Sequence, residues 1–148
     1  MNAVSEAYDV LKLENQVCFP LYACAKEVVR RYRPYLDRLS LTYTQYITMM
    51  ALWECAPLSV KELGERLYLD TGTLTPLLKT MEQKGLIVRT RSEQDERSVI
   101  ISLTEKGLAL REQALDVPEK VGSCIHLPPE KAQQLYALLY ELIDSTKE

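Results

Sequence analysis

The sequence predicts a mainly α-helical domain carrying one small β-hairpin, in the order ααααββαα. Three observations predict it. Apolar residues recur at spacings of three and four over most of the chain. That period changes to two only across residues 86–91 and 97–103. The 148 residues, 47% hydrophobic and 26% charged, suit one ordinary globular domain spanning 1–148, long enough to bury a core without disulfides or metal.

Val17, Leu21, Ala25, Val28, Tyr32, Leu36 and Leu39 form one apolar stripe, which predicts a long first helix. A second helix over 43–54 should turn Tyr46, Met49, Met50 and Trp53 inward. Pro57 cannot continue it. Ser59 and Glu62 form a capping box, opening a short helix with Val60, Leu63 and Leu67 inward. Asp70 or Thr71 caps the next helix, whose inward set is Leu74, Leu77, Leu78 and Met81. Gly85 is a natural stop. Residues 86–91 then alternate, with Arg89 and Arg91 on one face. A polar turn over 92–96 leads into a returning strand over 97–103. Thr104 starts a helix reaching about Val117, where Pro118 bends or interrupts it. After a break at 127–129, the last helix is expected to bury Leu135, Leu138, Leu139, Leu142 and Ile143.

Several function classes lack their parts. No apolar run approaches the roughly 20 residues that span a bilayer, and residues 1–15 lack a basic segment followed by an apolar one. These two absences predict a cytoplasmic protein with no membrane partner. Neither a GxGxxG nor a GxxxxGK[ST] fingerprint is present. His126 is the sole histidine, and with Cys124 it supplies too few ligands for zinc. No metal, no cofactor and no enzymatic triad is expected.

The net charge is −3, yet two stretches, 26–38 and 71–91, each carry +3. Two helices joined by a tight turn and followed by a hairpin describe a winged helix-turn-helix over 43–104. The plainer alternative is that the pattern merely packs an α+β core. The outer face of the 71–84 helix favours DNA. Thr71, Thr73, Thr75, Pro76, Lys79 and Thr80 offer hydroxyls, methyls and one cation, with no bulky acid. Such side chains suit phosphates and base edges in a major groove. Arg97 at the hairpin tip, flanked by Arg89 and Arg91, is suited to the DNA backbone or the minor groove.

The run 59–103, SVKELGERLYLDTGTLTPLLKTMEQKGLIVRTRSEQDERSVIISL, resembles the DNA-binding core of the MarR family. The segments LENQVCFPLYACAKE, LTYTQY, LYLDTGTLTPLLK and DERSV together resemble its organic-hydroperoxide-sensing (OhrR-type) members, and the resemblance covers residues 12–115. It implies a redox-sensing repressor, a homodimer whose helical dimerisation region comprises 12–40 and 105–148. Its reduced form would bind a pseudo-palindromic double-stranded DNA operator. On the reading helix the family's contacts fall on Thr71, Thr73, Thr75, Pro76 and Lys79, while Thr80 stands where many relatives carry Arg. In the wing, Asp95 is expected to orient Arg97. Cys18 occupies the sensor-thiol position, with an organic hydroperoxide as the signal. The resemblance gives Cys124 the part of a resolving thiol forming an intersubunit disulfide; otherwise a small thiol would lock the oxidised state. Tyr22, Tyr32 and Tyr43 match sensor-pocket positions, the last two supplied by the partner subunit.

From the residues themselves, Cys18 lies near a helix start, where orphan N–H groups favour negative charge; a buried inert thiol is the plainer reading. Pro20 departs from the family's usual residue and is expected to delay or kink that helix. Cys24 is about 240° around the helix from Cys18 and cannot bond to it. Cys24 and Cys55 read as packing residues, and Tyr32, on the apolar stripe, reads equally as core. Two other functions stay open: a MarR-type repressor released by a phenolic or other small ligand, and a thiol peroxidase-like enzyme.

Overall fold

The computed structural model describes residues 7–147; positions 1–6 and 148 of the expected single domain lie outside them. The chain forms two compact units, divided after Val117.

In the first unit, two 3-10 turns, Asp9–Leu11 and Leu13–Asn15, precede helix α1 at Cys18–Asp37. Pro20 neither delays nor breaks α1. It falls in the first turn, where its missing N–H would have no intrahelical partner. Of the predicted stripe only Leu36 and Leu39 are buried; Val28 and Tyr32 are half-buried, and Val17, Leu21 and Ala25 are exposed.

Helix α2, Tyr43–Cys55, opens on a second capping box. Thr42 Oγ1 accepts from the Gln45 N–H, and Gln45 Oε1 accepts from the Thr42 N–H. Tyr46 and Met49 face inward as expected, but Met50 is 44% exposed. The buried arc of α2 takes in Gln45, Tyr46, Thr48, Met49, Ala51 and Leu52, and Met50, about 100° beyond Met49, falls outside it. Leu52 is buried instead, and the half-buried Trp53 donates from Nε1 to the Gly107 carbonyl at 2.9 Å.

Strand β1, Leu58–Ser59, precedes α3, Val60–Leu67, and the Ser59–Glu62 capping box is present. The turn to α4, Thr71–Gln83, is tight. A Cβ on Gly64 would come within 2.7 Å of the Leu69 carbonyl oxygen, so glycine is required there. Asp70 caps α4, and Leu74, Leu78 and Met81 are buried beneath it. Strands β2, Ile87–Arg91, and β3, Val99–Leu103, form the hairpin. β1 adds to it, making a three-stranded antiparallel sheet in the order β1-β3-β2, with Leu58 opposite Ile101 on one side and Arg89 opposite it on the other. Helix α5, Glu105–Ala114, crosses so close to the hairpin's start that a Gly107 Cβ would lie 2.0 Å from the Leu86 carbonyl oxygen.

The last elements are α6, Val117–Gly122, and α7, Pro129–Ser145. The observed order is thus ααβααββααα, with a strand and a short helix beyond the predicted set. Two residues are too few to show alternation, so β1 left no periodic signal. The expected burial on α7 does not occur within one chain. Leu138 is 61% exposed, Leu135 and Leu142 are exposed too, and Leu139 and Ile143 are only half-buried. No helix among the described residues is long and apolar enough to cross a membrane.

Candidate DNA interface and thiol site

The outward face of α4 follows from its inward one. With Leu74, Leu78 and Met81 in the core, Thr71, Thr73, Thr75, Pro76, Lys79 and Thr80 are all exposed. The Asp70 carboxylate accepts from the Thr73 N–H at 2.7 Å, and this bond holds its carboxyl below the ordinary range. Thr75 and Thr80 donate their hydroxyls to the carbonyls of Thr71 and Pro76. Each donated hydroxyl oxygen keeps its acceptor capacity, and on these exposed residues it is suited to accept from a base edge, as the methyl is to touch a thymine methyl.

The far end of α4 is fastened from three sides. Lys84 donates to the Ser40 carbonyl at 2.6 Å and to Gln45 Oε1 at 2.9 Å, tying α4 to the turn between α1 and α2. The Lys106 ammonium reaches the Lys84 carbonyl, and the Thr104 hydroxyl reaches the Gly85 carbonyl. The Glu82 carboxylate takes the Arg89 backbone N–H at 3.0 Å and the Arg89 guanidinium at 3.0 and 3.2 Å. The Arg89 guanidinium, and then its backbone N–H, hold the Glu82 carboxyl below its ordinary value. The basic stretch is therefore divided: Lys84 and Arg89 point at the protein, whereas Lys79 and Arg91 are exposed.

At the wing tip, Ser92 Oγ accepts from the N–H groups of Gln94 and Asp95, and the Ser98 N–H donates to the Asp95 carbonyl. Asp95 Oδ1 accepts from the Arg97 backbone N–H at 3.0 Å. Asp95 thus acts on Arg97 through the main chain, bending the tip so that the Arg97 side chain projects from an exposed turn.

Cys18 is the first residue of α1 and is exposed, and Val17 before it provides no side-chain cap. Within one chain the Cys18 thiol is therefore not buried. One turn on, the Tyr22 ring lies under the Lys26 ammonium, 5.3 Å from the ring centroid. Tyr22 and Tyr43 line one open groove of about 820 Å³ together with Lys26, Val29, Arg33 and Leu36. Tyr32 packs edge-on against Tyr43 at 5.0 Å and lies 5.8 Å from Tyr46. Burial pushes the Tyr43 and Tyr46 phenols up, with Tyr32 adding to the effect. Within one chain Tyr32 and Tyr43 are in ring contact, Tyr22 shares the groove with Tyr43 but not with Tyr32, and Cys18 is not among the groove's lining residues. Tyr46 joins the cluster unforeseen; its spacing of three from Tyr43 was the available signal.

Cys124 follows α6, half-buried, its thiol 3.5 Å from the Lys120 carbonyl oxygen. Cys55 is half-buried, but Cys24 is exposed and packs in no core within one chain. None of the four cysteines is in a disulfide. Among the described residues, no group of three or more His, Cys, Asp and Glu side chains is placed to hold a metal ion.

A helix-turn-helix with an exposed hydroxyl-and-cation face, beside a hairpin with an arginine tip, defines a winged-helix DNA-binding regulator. Residues 30–113 match the family described as transcriptional regulator SarA/Rot. Over 138 residues the chain is 52% identical to the organic hydroperoxide resistance transcriptional regulator of Bacillus subtilis (strain 168), covering 93% of this chain and 94% of that protein. Among solved structures it is similar to AbfR of Staphylococcus epidermidis. The reduced, DNA-bound form of AbfR gives a TM-score of 0.77 at 32% identity, covering 96% of this chain and 99% of that one. The disulfide-formed AbfR gives 0.64 at 34% identity, covering 95% and 98%. The chain belongs to the MarR-type winged-helix transcriptional regulators and, within them, to the organic hydroperoxide resistance regulators. It is a DNA-binding regulator and not an enzyme.

Proposed function

We propose that this chain is a cytoplasmic homodimeric repressor that releases its operator when an organic hydroperoxide oxidises Cys18. One observation carries the reading. Cys18 is exposed at the first residue of α1, in a chain 52% identical to an organic hydroperoxide resistance regulator. The Cys18 thiolate attacks one peroxide oxygen and the O–O bond breaks. The alkoxide leaves with the bonding pair, takes up a proton as the alcohol, and Cys18 becomes a sulfenic acid. The thiol of Cys124 in the partner subunit then forms an S–S bond with it, expelling water. Two thiols supply the two electrons that reduce the peroxide.

Residues 43–104 form the DNA-reading core of this repressor, and 12–40 with 105–148 the dimerisation region. The exposed leucines of α7 and the open start of α1 support a second copy as their cover. Thr71, Thr73, Thr75, Pro76 and Lys79 read the major groove, while Arg91 and Arg97, aimed by Asp95, hold the backbone and the minor groove. Tyr22, Tyr32 and Tyr43 form the pocket that favours an alkyl hydroperoxide.

A gel shift tests this, on a duplex selected by the wild-type protein from a randomised pool, with and without a slight excess of cumene hydroperoxide. Wild type binds and then releases; Cys18→Ser binds and stays bound. A non-reducing gel shows a cross-linked dimer that Cys124→Ser abolishes. Wild type holding DNA through oxidation overturns the reading.

One observation favours a second reading, release by a non-covalent phenolic or other small ligand. The groove between Tyr22 and Tyr43 is lined by Lys26, Arg30 and Arg33 and does not include Cys18. Release of Cys18→Ser by an aromatic carboxylate such as benzoate would support it.

A further inference from the structure

We propose that Arg89 is a positioning residue and not a DNA contact. With Glu82 it forms a clamp that sets the angle between the reading helix and the wing. The proposal rests on DNA binding alone and not on the thiol chemistry.

Strand periodicity gives the first reason. Ile87, Arg89 and Arg91 share one face of β2, and Ile87 is fully buried. That face looks at the body of the protein near its start and leaves it toward the tip. Arg89 is half-buried where Arg91 is exposed, so the same alternation that pairs the two arginines gives them different surroundings.

The acceptor gives the second reason. β2 is an edge strand, since the sheet order is β1-β3-β2. Alternate N–H groups of such a strand point away from the sheet and are ordinarily left to solvent. The Arg89 N–H is one of these, and a carboxylate from the last turn of α4 occupies it while also taking the guanidinium. Three bonds converge on one carboxylate, one to the main chain and two to the side chain. That pins both the position of β2 and the rotamer of Arg89 relative to α4. The pair is about one-third exposed, 30% for Arg89 and 37% for Glu82. A pair this accessible adds little to stability, so its main consequence is geometric. Base readout by α4 and minor-groove entry by Arg97 must occur together on one duplex, and the clamp joins the elements that carry them. A phosphate drawn to the remaining Arg89 N–H groups would also meet the Glu82 carboxylate, whose negative charge offsets that of the guanidinium.

The two roles predict opposite results, readable on the selected duplex across a salt series. Glu82→Gln and Arg89→Ala should each weaken binding by roughly tenfold, and the double variant should be no weaker than either. The slope of log affinity against log salt should stay at its wild-type value. A lost phosphate contact instead lowers that slope by about 0.9 per contact. Arg97→Ala supplies a readout that general destabilisation does not move. It should cost less in the Glu82→Gln background than in wild type, because an unclamped wing no longer presents Arg97 in register. The charge-swapped pair Glu82→Arg with Arg89→Glu should recover part of the lost affinity. The proposal is overturned if Glu82→Gln binds as well as or better than wild type, if Arg89→Ala lowers the salt slope, or if the Arg97→Ala penalty is the same in both backgrounds.

Discussion

The helix-turn-helix with its wing and the last helix α7 are built from similar apolar spacings and end in opposite states. In the first, Leu63, Leu74, Met81 and Ile101 are fully buried, capping boxes or side-chain caps satisfy helix starts, and Lys84, Lys106 and Thr104 hold the end of α4. In the second, no residue of α7 is buried and Leu138 is 61% exposed. Periodicity states which face of a helix is apolar; it does not state which molecule covers that face. The reading head closes within one chain. The open stripe of α7 supports closure between two, where burying each of its exposed leucines contributes about 2 kcal/mol.

The largest test of this contrast is Leu138→Arg. It should abolish dimerisation in sedimentation equilibrium and weaken operator binding by over about a hundredfold, since two half-sites no longer bind as one unit. A variant that remains dimeric breaks the contrast; a folded monomer sharpens it. Leu74→Ala should next lower unfolding free energy by about 3 kcal/mol in a urea titration. Leu138→Ala, measured at a concentration where the protein is monomeric, should cost well under about 1 kcal/mol, because an exposed side chain leaves no cavity. Equal costs would remove the distinction between the two regions. Lys84→Met should cost about 1 kcal/mol by the same titration, as the Ser40 carbonyl and the Gln45 amide lose their donor.

The smallest effect is a pH dependence inside the head. The Thr73 N–H holds the Asp70 carboxyl below its ordinary value. Its contribution is therefore complete above the unfolded value, about 4, and is lost as pH falls through the lower folded value. Asp70→Asn retains a capping oxygen but neither the charge nor the titration. Its melting temperature should lie slightly below wild type at pH 7, and the gap should close under acid. A gap that is constant with pH would show that the carboxylate charge does not matter to α4.

Most of the reading head was legible because its signals are local. The Ser59–Glu62 box, the Asp70 cap, the inward set of α4 and the change of period at the wing each occupy a few adjacent residues. The equivalent box at Thr42 and Gln45 was equally local and passed unread. What escaped was relational. Alternation placed Arg89 and Arg91 on one face of β2 but could not say that the face meets the protein at one and solvent at the other. Lys84 contributes to the charge of residues 71–91, but its acceptors, Ser40 and Gln45, lie 44 and 39 residues earlier, beyond any local signal. Glu82 is the one acid in the 71–91 stretch, and only the fold of β2 identifies Arg89 as the cation it meets. Cys18 was readable by type and position, whereas the groove that Tyr22 and Tyr43 line together needed coordinates.

The division of labour on α4 also bears on how such a regulator changes over generations. Its core-facing residues and its anchored far end carry the stability, whereas Thr71, Thr73, Thr75, Lys79 and Thr80 have their side chains in solvent. Substitutions on that outer face cost little folding energy. Lineages can therefore drift toward new operators one side chain at a time without an intermediate that fails to fold.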